Sequence, residues 1–159
     1  MRDSPKIHQE RVNGWIRLFN YIQEVSKVIG EEKALEILSD IQTQWVQKWF
    51  EKNASKLDLS SPPLLAAYRL MMEDMIGDRL SEINIVEQSE DRIVHHYDLP
   101  CSILDACLQL GLDTRKICKA LHQESANTLL QLVDPRLRFN RDYEKIRLPI
   151  RIIVSRSSG

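Results

Sequence analysis

The sequence predicts an α+β protein in which N-terminal helices precede an antiparallel sheet of two hairpins, with a helical pair between the hairpins. Three observations lead there. Apolar residues recur every three or four positions up to Ile76, the period drops to two after Gly77, and a helical stretch between Pro100 and Pro135 separates two regions of alternation. Strands grouped in this way favour an antiparallel sheet over a doubly wound parallel one. The chain reads as a single domain over residues 1–159, with a helical segment at 1–77 and a hairpin, two helices and a second hairpin at 80–155.

The first helix, residues 6–29, carries Val12, Trp15, Ile16, Phe19, Ile22, Val25 and Ile29 on one stripe, and Gly30 supplies its stop. The second begins at Glu31 and Glu32, acidic residues that suit the positive end of the helix dipole, and its stripe runs Leu35, Leu38, Ile41, Trp45, Trp49. Ser60 or Ser61 caps a third helix, Leu64 to Ile76, whose first turn tolerates Pro62 and Pro63. Ile83, Ile85 and Glu87 then alternate with Asn84, Val86 and Gln88, and Ile93 to Tyr97 read the same way across a polar turn, which makes a hairpin. After Pro100 a short helix carries Ile103, Leu104, Cys107 and Leu108 and ends at Gly111. Asp113 or Thr114 caps the next, with Ile117, Ala120, Leu121, Leu129 and Leu132, until Asp134-Pro135 breaks it. Leu137, Phe139 and Arg141 alternate with Arg136, Arg138 and Asn140 in a third strand, and Ile150 to Val154 form a fourth.

Composition narrows the function. The 159 residues carry 22 Lys+Arg and 23 Asp+Glu, a net charge of −1, and 43% hydrophobic residues. Such a chain can bury about two-thirds of its unfolded surface and needs no disulfide or metal to fold. A balanced charge argues against nucleic acid as the partner. There is no secretory signal and no apolar stretch long enough for a membrane span, so a cytoplasmic location is the expectation. The balance conceals an asymmetry: residues 1–100 hold 12 basic and 17 acidic residues, whereas residues 101–159 hold 10 and 6. The basic half also carries all three cysteines, Cys101, Cys107 and Cys118, and a small anionic or carboxylate ligand suits it.

Cys101 falls at the first turn of a helix, where exposed N–H groups and the helix dipole favour a thiolate, which makes it the candidate nucleophile or ligand. Asp105, one turn on, shares its face and could act as general acid or base, though its charge would also repel a thiolate. Cys107 fits the apolar stripe and Cys118 lies beside Ile117, so core packing competes with any chemical role for both. A divalent metal is a second option, with Cys101, Cys107, Cys118 and His122 as ligands, although their spacing matches no compact zinc pattern. His95 and His96 point to opposite faces of their strand, so only one of them could join such a site. Arg136 and Arg138 share a strand face and form a fork for a carboxylate or phosphate, with a solvated sheet edge as the alternative; Arg141 takes the opposite face. The Trp45 and Trp49 stripe offers a surface for homo-oligomerisation through the N-terminal helices.

From Cys101 the chain reads CSILDACLQLGLDTRKIC and, after a helix, DPRLRFNRDY. Over about residues 80–145 this combination resembles the L-2-amino-thiazoline-4-carboxylic acid hydrolase family, in which a hairpin leads to a Cys-Pro helix start, a second Cys-bearing helix and a strand of (Asn/Asp)-Pro-(Gly/Arg)-Leu-Arg-Phe type. Ser102 stands where the family usually has proline, and the last strand, LPIRIIVSR, lacks the acidic residues and cysteine that many members carry there. The resemblance implies a hydrolase acting on C–N or C–S bonds, adding water to the amidine-like carbon of a 2-aminothiazoline ring to give a carbamoyl-cysteine product. The departures leave open a second reading, a non-catalytic relative that binds a small ligand or metal as a sensor or accessory domain.

Overall fold

In the computed structural model, residues 4–76, 83–97, 100–145 and 150–157 are described. Helix α1 spans Pro5–Ile29: Ser4 Oγ accepts the Ile7 N–H at 3.3 Å as its cap, and Pro5 occupies a first-turn position that needs no N–H donor. It ends at Gly30, whose φ of 90° suits a residue without a Cβ, and the chain turns directly into α2, Glu31–Asn53. Val12, Phe19 and Ile22 are buried on α1, as its apolar stripe implies.

On α2 the expected stripe is buried only in part: Leu35, Leu38 and Trp49 pack in the core, but Ile41 and Trp45 do not. Ala34, Leu38 and Val46 are buried, while Ile37, Ile41 and Trp45 form an exposed row, with Ile41 59% and Trp45 50% accessible. Two helical stripes diverge from Leu38, one through Ile41 to Trp45 and one through Gln42 to Val46. The polar Gln42 hides the second in the sequence, and it is the second that faces the protein. The tryptophans therefore do not form one surface: Trp49 packs against a core cluster and Trp45 stands half out of it.

Helix α3, Pro63–Arg69, continues as a π-helical stretch over Leu70–Ile76 that buries Leu70, Met71 and Met72. Neither Ser60 nor Ser61 caps it. Pro62 is the cap residue with no side-chain bond, and Ser60 instead bonds to Asp58 in the preceding turn. Gly77, after which the sequence period changes, lies outside the described residues.

Strands β1, Asn84–Gln88, and β2, Arg92–Tyr97, form the first hairpin, with a bulge between Ile85 and Glu87. After α4, Ser102–Leu110, and α5, Thr114–Val133, come β3, Leu137–Arg141, and β4, Ile150–Arg156, which pair antiparallel as the second hairpin. β2 also pairs antiparallel with β4, so the strand order is β1-β2-β4-β3. The fold is thus α+β with an antiparallel sheet. Register places Ile93, Val154 and Phe139 in one row across the sheet, and His95 and Arg141, which share one Cα register partner on β4, in the next row on the same side. Leu137 and Phe139 are buried while Arg138 and Asn140 are exposed, so the inward face of β3 is the one that also bears Arg141.

Two clusters form the core. One joins the sheet residues Ile93, Phe139 and Val154 to Tyr68, Met72 and the α5 residues Leu129 and Leu130. The other joins Phe19, Leu38, Ile103 and Cys107 to the α5 residues Ile117 and Leu121. Gly111, at φ 66°, closes α4 and lets Asp113 cap α5 by accepting the Arg115 N–H at 3.0 Å.

The rotation of α2 gives a direct test. Leu38→Ala should cost about 2–5 kcal/mol in a urea unfolding titration, because it opens a cavity. Ile41→Ala, on the exposed row, should stay within about 0.5 kcal/mol.

Candidate functional site

Where the two clusters fail to merge, a cleft of about 630 Å³ opens. Its wall takes Trp15 and Leu18 from α1, Trp45 from α2, and Met72 from the π-helical stretch, and Phe139 comes from β3. Gly14 lies on the same wall, and a Cβ added there would meet nothing within 4 Å. Helix α1 therefore forgoes about 1 kcal/mol of helix propensity, relative to alanine, at a position where packing does not require glycine.

One side of the cleft is chemical. Cys101 caps α4, its Sγ accepting the Leu104 N–H at 3.4 Å, and the thiol lines the cleft. Next to it, Ser102 Oγ accepts the Trp15 Nε1–H at 3.1 Å, which ties the start of α4 to α1. Ser102 thus has a structural use here. One turn into α4, Asp105 meets His8 of α1, with Nε2 and Oδ2 2.7 Å apart. His8 also lines the cleft, so a carboxylate-oriented imidazole and a helix-capping thiol sit on one wall.

The floor is electrostatic. Arg141 lines the cleft, its Nε is buried without a hydrogen-bond partner, and no carboxylate among the described residues pairs with it. Its charge reaches several groups around it. Burial first and Arg141 second hold His95 down to about 4 and His122 down to about 3, so both imidazoles are neutral at ordinary pH. His95 is fully buried, with Nδ1 2.7 Å from the Tyr68 hydroxyl and Nε2 unpartnered. His122 faces the cleft. Burial also pushes the nearby Tyr143 hydroxyl up, against the opposing pull of Arg141.

The residues expected from the sequence are distributed unevenly over this geometry. Cys101 is on the cleft wall and Asp105 stands behind it, holding His8. Cys107 and Cys118 are buried in the helical cluster, and burial pushes their thiols up to about 11 and about 12. They are protonated packing groups. No three His, Cys, Asp or Glu side chains among the described residues are arranged to hold a metal ion, so the grouping of Cys101, Cys107, Cys118 and His122 does not assemble as a ligand set. Arg136 and Arg138 do not reach the cleft. Arg136 precedes β3 and makes a forked contact with Asp134, at 3.0 and 2.7 Å, while Arg138 donates to the Pro135 and Leu137 carbonyls. Arg141 takes the inward position instead. The signal for it was the alternation itself, since Arg141 has the parity of Phe139. His8 and Trp15 carried no comparable signal, because nothing local links α1 to Asp105 or Ser102.

No helix among the described residues is long and apolar enough to cross a membrane. No protein-family model, curated protein or solved structure matches the chain.

The two neutral histidines set a pH dependence. A histidine whose folded value lies below its ordinary 6.5 gives stability that is full above 6.5 and is lost as pH falls toward the folded values of about 4 and about 3. The melting temperature should fall as acid is added through that window. His95→Asn and His122→Asn should each flatten the slope; an unchanged slope in both would contradict the neutral assignment.

Proposed function

We propose that the cleft binds a small organic carboxylate and opens a cyclic amidine ring of the 2-aminothiazoline type. The observation that carries this reading is the position of Arg141, a cation without a carboxylate partner among the described residues, in the same cleft as the helix-capping thiol of Cys101. In this reading Arg141 takes the ligand's carboxylate by a forked contact. The Cys101 sulfur attacks the amidine carbon and its proton passes to His8, which Asp105 orients. His8 returns that proton to the ring heteroatom as the ring bond breaks, and water then adds to the carbon and releases the carbamoyl product with the thiol restored. The neutral state of His122 leaves the anion to arginine.

Ring opening of 2-amino-thiazoline-4-carboxylate, followed by release of the carbamoyl product, is the direct assay. Cys101→Ala should abolish turnover, and His8→Ala should lower kcat by about 10²–10⁴-fold. Arg141→Gln should act mainly by raising KM. Equal rates for wild type and Cys101→Ala would remove the nucleophile role.

A second reading, a non-catalytic small-ligand domain, is favoured by two observations. The last strand offers no acidic or cysteine side chain, and the lining of the cleft is predominantly apolar. Ligand binding without turnover in the same assay would select it.

A further inference from the structure

The cleft is larger and more apolar than a five-membered ring with a carboxylate requires. Its 630 Å³ would hold about twenty waters at liquid density. We infer that its ligand is an amphipathic monoanion, with a carboxylate head on Arg141 and a flexible aliphatic body along the wall of Trp15, Trp45 and Met75. This rests on Arg141 as the anion subsite of the proposed function and is independent of ring opening.

The head group follows from charge. A cation taken partly out of water and left unpaired is costly, and the groups that feel Arg141 most, His95, His122, Cys118 and Tyr143, supply no negative charge to offset it. An anion in the cleft supplies it. One such cation suits a single negative charge better than a phosphate dianion.

The body follows from how the polar lining is used. Ser125 Oγ donates to the Leu121 carbonyl at 2.7 Å, Ser102 Oγ accepts from Trp15, and His8 is held by Asp105. These three groups already have partners inside the protein, which leaves Gln42 and His122 as polar side chains along a predominantly apolar wall. Met75, partly exposed on the π-helical stretch, presents an unbranched, adaptable side chain that moulds to a flexible chain, with Met71 and Met72 buried behind it.

The test is a titration of the full chain with decanoate, decanol and acetate, followed by the fluorescence of the tryptophans. Decanoate should bind, with decanol and acetate each at least about 10-fold weaker. Arg141→Gln should bring decanoate down to the level of decanol. Gly14→Leu should weaken decanoate, since its side chain enters the cleft while its substitution strengthens α1, so this variant carries the test if Arg141→Gln does not fold. Decanol binding as tightly as decanoate would overturn the head group, acetate binding as tightly as decanoate would overturn the body, and no decanoate binding would overturn both. Decanoate binding in a chain that opens no ring removes the hydrolase and keeps this inference; ring opening without decanoate binding does the reverse.

Discussion

Helix α5 must serve two cores at once, and the cleft is the consequence. Its N-terminal half buries Ile117, Cys118 and Leu121 among the helices, and its C-terminal half buries Ala126, Leu129 and Leu130 beneath the sheet. A helix of 20 residues is long enough to reach both clusters but cannot draw them together. The turn between its two buried stretches, with His122 and Ser125, belongs to neither cluster and faces the gap. Ser125 bonds back to the Leu121 carbonyl, which satisfies its hydroxyl without a partner from outside the helix.

The same helix aims the cation. β3 is an edge strand, and the unpaired backbone groups of Phe139 would otherwise face solvent. Asn127 Oδ1 accepts the Phe139 N–H at 2.7 Å and Gln123 Nε2 donates to the Phe139 carbonyl at 3.1 Å, so two α5 side chains cover that edge. Gln123 also accepts the Tyr143 hydroxyl at 3.0 Å, just beyond the strand. With Phe139 and Tyr143 both fixed to α5, Arg141 between them is carried to the cleft beside His122.

Burial, more than the charge count, then decides which arginine lines the cleft. The C-terminal part of the chain is basic, yet Arg115 pairs with Asp113 and Glu144, and Arg136 with Asp134, near the surface where ion pairs contribute little. Arg141 has no carboxylate partner among the described residues, and its field adds to the burial that holds two histidines neutral. The thiols divide by the same principle. Cys107 and Cys118 lie inside a cluster and are protonated, whereas Cys101 lies at its border and on the cleft wall.

The sequence by itself determined the elements and their order, because period, caps and breakers are local: Gly30, Gly111 and Asp113 mark helix ends wherever the helices are placed. It determined that Cys101 begins a helix, and strand parity put Arg141 on the side of Phe139. Tertiary structure alone decided which of two stripes α2 buries, since both run through Leu38 and only packing against α1 and α5 distinguishes them. It alone brought His8 to Asp105, 97 residues away, and Trp15 to Ser102, 87 residues away. Contacts at that separation leave no periodic trace in a single chain, and a cleft between two cores arises only once both cores have formed.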